Sequence, residues 1–193
     1  LLLASGCSGG SHPTLTSPAV NGSVRSLVAG NPTGDDDDPT VALDALGNIH
    51  VVFFSDRDGS KDLYEIHSTG FDLATATVTW SPLTQITHND PAQFPPPTQG
   101  DNFPSLFIDA TGTHHLAWHR WNLANESHIL YAKSDGTAAG WAATTVIDVT
   151  SGANFDRFPQ VVGFAANDLR IYFGSSTRKT ANKNDIFVTQ SID

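Results

Sequence analysis

Four carboxylates in a row, Asp35-Asp36-Asp37-Asp38, are the densest charge in the sequence. Clustered carboxylate oxygens suit a hard cation such as Ca²⁺. A calcium loop alternates its ligands around a glycine turn, and this run does neither, so a solvated acidic turn is the expected reading. Histidine offers a second chemistry. His114, His115 and His119 lie close together, and His50 stands further back. Zinc needs three or four converging donors. Successive residues of a strand point to opposite faces, so His114, His115 and His119 cannot all face one side. No metal site and no cofactor is expected from the sequence. Trp121 and Phe94 fall in segments that read as loops, where an aromatic ring could stack on a ligand or simply cover the loop. There is no glycine-rich phosphate loop and no Gly-x-Ser-x-Gly elbow. Cys7 is the single cysteine, which excludes an internal disulfide framework.

The elements that must carry these residues are strands. Glu occurs only at positions 65 and 126, Met is absent, and the 16 Gly and 11 Pro are spread along the 193 residues as turn punctuation. That balance predicts an all-β protein with many tight turns. The net charge of −10 opposes phosphate backbones, so no nucleic-acid partner is expected. No apolar run is long enough to span a bilayer as a helix.

A repeat organises the chain. Pro39 to Phe54, Pro104 to His119 and Pro159 to Gly174 align without gaps, at offsets of 65 and 55 residues. Each begins with Pro, runs through a short apolar strand, turns, and returns as an aromatic and β-branched strand. In the first two, the turn is Asp-Ala-x-Gly: Asp44 and Gly47, then Asp109 and Gly112. Aspartate caps such a bend and glycine supplies a positive φ. Phe53, Trp118 and Phe173 share one register, which predicts packing between units. A third strand ends in Ser each time, at Asp62–Ser68, His128–Ser134 and Asp185–Ser191. A fourth is expected to open with Trp, from Trp80 to Thr87 and from Trp141 to Thr150. Four antiparallel strands at a period near 60 residues predict β-propeller blades, two complete and one partial. A β-sandwich with coincidental hairpins is the alternative. The expected units are about 35–90, 100–150 and 155–193.

At Asp-Ala-x-Gly-x-x-His and at Ser134-Asp135-Gly136 with Trp141, the chain resembles the sialidase-like propellers, the bacterial neuraminidase repeat family. Ser134, Asp135, Gly136 and Trp141 keep the ingredients of that family's Asp-box at altered spacing. The loop Ser55-Asp56-Arg57-Asp58-Gly59 before Asp62 is also similar to blades of the periplasmic Tol propeller. The resemblance covers residues from about 35 to 193 and implies fold more than activity. Sialidase catalysis needs an arginine triad, a Tyr–Glu nucleophile pair and an acid/base Asp. Tyr64 and Glu65 are adjacent and so point to opposite faces of a strand. Arg157-Phe158-Pro159 falls at the repeated Pro position and reads as a blade mark.

Leu1-Leu2-Leu3-Ala4-Ser5-Gly6-Cys7 resembles the end of a bacterial lipoprotein signal, with Cys7 as the lipidated residue. Residues 1–7 then read as the signal remnant and 8–34 as a flexible tether. A frayed terminus with a free thiol is the alternative. With no initiating Met and a last unit that stops after its third strand, the sequence reads as a piece of a longer protein.

Two functional expectations follow. The first is an extracytoplasmic propeller module in the bacterial envelope, lipid-anchored or secreted, that binds glycans or envelope proteins and meets the membrane only through Cys7. The second is the N-terminal part of a sialidase-like glycoside hydrolase whose catalytic residues lie outside this stretch. No catalytic set within the chain decides whether it is an enzyme.

Overall fold

The computed structural model of the chain describes residues 34–72, 77–94, 99–124, 126–150, 155–165, 168–176 and 185–191. Cys7, the signal remnant and the tether lie outside the described residues.

The repeat builds three antiparallel units. The first contains β1 (Asp36–Leu43), β2 (Ile49–Ser55), β3 (Asp62–Asp72), β4 (Thr77–Trp80) and β5 (Thr84–Gln85). The second contains β6 (Gly100–Ile108), β7 (His114–Trp121), β8 (Ser127–Ser134), the short helix α1 (Ala138–Ala143) and β9 (Ile147–Asp148). The third contains β10 (Asp156–Ala165), β11 (Asp168–Ser175) and β12 (Asp185–Ser191). Strand order within each sheet follows chain order, except that β5 pairs with β3 rather than with β4. The hairpin turns form as the sequence implies. Asp44 Oδ1 accepts from the backbone N–H groups of Leu46 and Asn48, and Asp109 Oδ1 accepts from those of Thr111 and Thr113.

The first strands of the units stand side by side at the centre of the fan. Thr40 Oγ1 on β1 accepts from Leu106 N–H on β6 at 3.4 Å, and Ser105 Oγ on β6 accepts from Val161 N–H on β10 at 3.0 Å. These bonds join equivalent positions, so one stitch recurs between successive units. A second stitch joins the start of each third strand to the next inner strand, through Lys61 with Gly100 and Ser127 with Phe155. Gly100 is needed there: at φ +110° a Cβ would lie 2.7 Å from the Lys61 carbonyl oxygen.

Alternation along the strands divides the core. Val52, Phe54, Leu63, Leu106, Leu116, Trp118 and Trp141 fill the space between the first two units. Ala117, Ile129, Val161, Ile171 and Phe173 fill the space between the second and third. Phe53, Tyr64 and Ile66 cluster with Trp80 and Leu83 on the other face of the first unit.

The fourth strands differ from expectation. Trp80 ends β4, which only lengthens the third-strand hairpin, and Trp141 lies inside α1. The true counterparts are the two-residue strands β5 and β9, which pair with the third strands at Tyr64–Gln85 and Leu130–Asp148. The threonines, not the tryptophans, mark the repeat. Thr87 Oγ1 accepts from Leu63 N–H and Thr150 Oγ1 from Ile129 N–H, each at 2.9 Å. Thr137 caps α1 through its side chain, which accepts from Gly140 N–H.

Candidate functional site

The repeated Pro has an unexpected consequence. The residue before it adopts positive φ in all three units: Asp38 at 51°, Phe103 at 48° and Phe158 at 56°. Residues before proline ordinarily stay extended, and left-handed backbone is costly for a side chain with a Cβ. At the same place the strand register slips, between Asp37 and Thr40, Asn102 and Ser105, and Arg157 and Gln160. Each inner strand thus opens with a bulge that re-aims one side chain.

Two of the re-aimed side chains are aromatic and exposed, Phe103 at 37% and Phe158 at 54%. Their rings meet edge to face, 4.7 Å between centroids. His119, at the end of β7, packs 4.9 Å from Phe103 and 6.1 Å from Phe158. Trp121 follows, 6.2 Å from His119 and 6.1 Å from Phe155. The Arg157 guanidinium covers Trp121 at 4.5 Å. Phe94 lies beside this group, with Arg120 at 5.3 Å from its ring. Both sequence-derived stacking candidates, Trp121 and Phe94, therefore belong to the mouth where the inner strands begin, each half-buried under an arginine. Phe94 lies in a loop, as its segment reads, and closes a turn there with its N–H on Asp90 O.

The electrostatics of this mouth are set by a buried frame. Asp101 is fully buried and accepts from Arg120 Nε at 2.6 Å and Nη2 at 2.8 Å, from Trp118 Nε1 at 2.9 Å and from Asn89 Nδ2 at 2.9 Å. Burial works against the Arg120 charge, and Asp101 more than restores it. Asp36, at the same place in the first unit, accepts from Arg57 Nη2 at 2.8 Å. Burial and then the Arg157 charge push the His119 imidazole down to about 3, so it is neutral at physiological pH. Neither ring nitrogen of His119 finds a partner among the described residues. Asp38 is raised above the usual carboxylate range, by burial and by Asp37, although it accepts a backbone hydrogen bond from Phe103.

The acidic run is not the solvated turn expected: Asp36, Asp37 and Asp38 open strand β1, with Asp38 in its bulge. Asp35 N–H donates to Asp56 Oδ1, Asp37 Oδ1 accepts from Asp38 N–H, and Asp36 is held by Arg57. The histidines separate by face. His115 and His119 point toward the third unit, and His114 points toward the first. There His114 meets His50 and Glu65, a grouping that no spacing along the chain indicates. His50 Nδ1 lies 2.9 Å and His114 Nδ1 3.1 Å from the same Glu65 Oε1, and Trp141 Nε1 donates to Oε2 at 2.8 Å. Burial alone would raise the Glu65 carboxyl. The contacts from His114, His50 and Trp141 outweigh it and hold the group at about 2.

Four-stranded units fanned about their first strands, with a side-chain-lined mouth at one end, define a β-propeller; the chain holds two complete blades and three strands of another. Two solved structures share this fold: an endo-arabinase from Bacteroides thetaiotaomicron VPI-5482, with TM-score 0.53, 12% identity and 80% of this chain covered, and an endo-1,4-β-xylanase from the same organism, with TM-score 0.53, 12% identity and 87% covered. The chain spans 55% and 57% of their lengths, a little over half. No known family profile matches the sequence, and no curated protein matches it.

Proposed function

We propose that the chain is the glycan-holding section of a carbohydrate-active propeller, and that the mouth built by Phe103, Phe158 and Trp121 is where the sugar lies. The carrying observation is the pair of exposed phenylalanines held at positive φ in equivalent bulges. Strained backbone that presents apolar rings to solvent gains nothing for the core, and such strain concentrates at functional sites. Aromatic faces beside arginines and a neutral, unpartnered imidazole suit a ligand with alternating C–H faces and hydroxyls. The names of the two structural neighbours point to polysaccharide, and the sialidase-like sequence motifs point to glycans as well.

Hydrolysis takes two carboxyl groups, one acid and one base or nucleophile. At this mouth Asp101 and Asp36 are tied to arginines, while Asp38, in the first bulge, has a raised pKa that suits a proton donor. A second carboxylate from elsewhere in the whole protein would complete a hydrolase. A lipid on Cys7 would hold such a module at the outer face of a bacterial membrane, where glycans are met.

The test is affinity electrophoresis and calorimetry of the full chain with arabinan, xylan and a sialylated oligosaccharide. Binding to at least one is expected, with a loss of about tenfold or more in Trp121→Ala and in Phe158→Ala at unchanged melting temperature. No binding to any of the three, or binding that both variants leave intact, overturns the reading.

A further inference from the structure

A second site lies between the first two blades, at the opposite end of the hairpins from the aromatic mouth, and it is independent of the glycan reading. We propose that His50 Nδ1, Glu65 Oε1 and His114 Nδ1 form a binding site for a divalent transition metal of the Zn²⁺ class. It would clamp β2 and β3 of the first blade to β7 of the second.

Four observations carry it. The three donor atoms lie within 4.8 Å of one another, and two of the separations, 2.9 and 3.1 Å, match those between ligands that share one small cation. Both imidazoles aim Nδ1 at a single carboxylate oxygen, while the other oxygen is occupied by Trp141. Donor groups around a metal need outer partners that orient them. Trp141 Nε1 fixes Glu65, and His50 turns its buried Nε2, which has no hydrogen bond, toward Asp44 Oδ2 at 3.7 Å. Gly136, at φ +78°, leaves the room His114 occupies, since a Cβ there would lie 2.5 Å from His114 Cε1.

The fourth observation is internal to the protein. The same three positions in the next interface hold His115, Tyr131 and Leu169. His115 Nδ1 meets Tyr131 Oη at 2.8 Å, and Asp109 faces His115 Nε2 at 3.4 Å. The histidine and its turn aspartate are thus ordinary blade architecture. Packing is satisfied there by a tyrosine and a leucine. Glu65 and His114 are what the first interface adds, and together they turn a structural hydrogen bond into a three-donor set with one position open to a fourth ligand. On binding, the metal takes the place of the Nδ1 protons, and each imidazole stays neutral with its one proton on Nε2, which for His50 faces Asp44.

The experiment uses the full chain, stripped with a chelator and then titrated with Zn²⁺ by calorimetry and with Co²⁺ by visible absorption. One equivalent of Zn²⁺ is expected, with a rise in melting temperature and a visible tetrahedral Co²⁺ band whose intensity saturates at one equivalent. His114→Leu, which copies Leu169, and Glu65→Gln, which keeps the volume, should each weaken Zn²⁺ binding at least tenfold and abolish the band. If His114→Leu does not fold, Glu65→Gln decides. A folded wild-type chain that takes up neither ion, or binding that survives in the folded variants, overturns the site.

Discussion

The two blade interfaces are built on one plan and filled differently. Each has a turn aspartate beside a histidine, Asp44 with His50 and Asp109 with His115. In each, a hydroxyl on the inner strand is bonded to the next blade's backbone. The first interface is large and polar within: Trp118 and Trp141 are buried in it, and their indole N–H groups end on Asp101 and Glu65. The second is smaller, with an apolar centre of Ile129, Ile171 and Phe173 and the His115–Tyr131 bond beside it. Repeat packing therefore fixes where a side chain points and leaves its chemistry free. Departures from the repeat, not the repeat itself, mark where function can be added.

The largest expected effect tests how far the buried polar frame of the second blade differs from the same position in the first. Asp101→Asn removes the charge of a fully buried carboxylate that also accepts from Trp118 and Asn89, and breaking such a pair costs ~3–5 kcal/mol. Asp36→Asn removes the carboxylate from a pair whose members are both partly exposed, and the cost should be ~1 kcal/mol or less. Urea denaturation of both variants checks this. Equal losses would show that the two blades share one energetic role for the opening aspartate.

Much of this architecture was legible in the sequence. The gapless Pro-to-aromatic repeat located all three hairpins, and the shared register of Phe53, Trp118 and Phe173 located core side chains, of which Trp118 and Phe173 pack between blades. The sites were less legible, for physical reasons. Proline at 39, 104 and 159 argues for extended backbone just before it, so the left-handed bulges that expose Phe103 and Phe158 run against the local preference. Trp80 and Trp141 each follow a third strand but share no structural role, because a capped helix at Thr137 diverts the second. His50, Glu65 and His114 meet only because one strand of each blade faces its neighbour, and a contact 64 residues apart leaves no local periodicity to read. Cys7 and its lipid stay expectations of the sequence.

The pH response sharpens the comparison at an intermediate scale. His119 occupies the register of Phe54 in the first blade, and its imidazole is depressed to about 3 from an ordinary 6.5. Below about pH 6.5 the unfolded chain takes up a proton at this residue and the folded chain does not. Stability is therefore lost as the pH falls, with a slope of up to ~1.4 kcal/mol per pH unit, until the folded group itself titrates near 3. His119→Phe, which copies the first blade, should remove that share. Its melting temperature should fall less than the wild type's between pH 6.5 and 4. Parallel curves would mean that His119 is hydrated and titrates near its ordinary value.

The smallest effect concerns the stitch that joins the inner strands. Ser105 Oγ is buried and accepts from Val161 N–H at 3.0 Å. Thr40 Oγ1 makes the equivalent bond to Leu106 N–H at 3.4 Å from a half-buried position. A buried donor left without its acceptor costs ~1–3 kcal/mol, so Ser105→Ala should destabilise by an amount in the lower half of that range. Thr40→Ala removes a long, weaker bond near solvent, and about 0.5 kcal/mol is expected. Amide exchange distinguishes the two more sharply than melting does. Val161 N–H should lose protection in Ser105→Ala, whereas Leu106 N–H should change little in Thr40→Ala. If both amides respond alike, the stitches carry equal weight, and the difference between the two interfaces rests on their aromatic and polar filling alone.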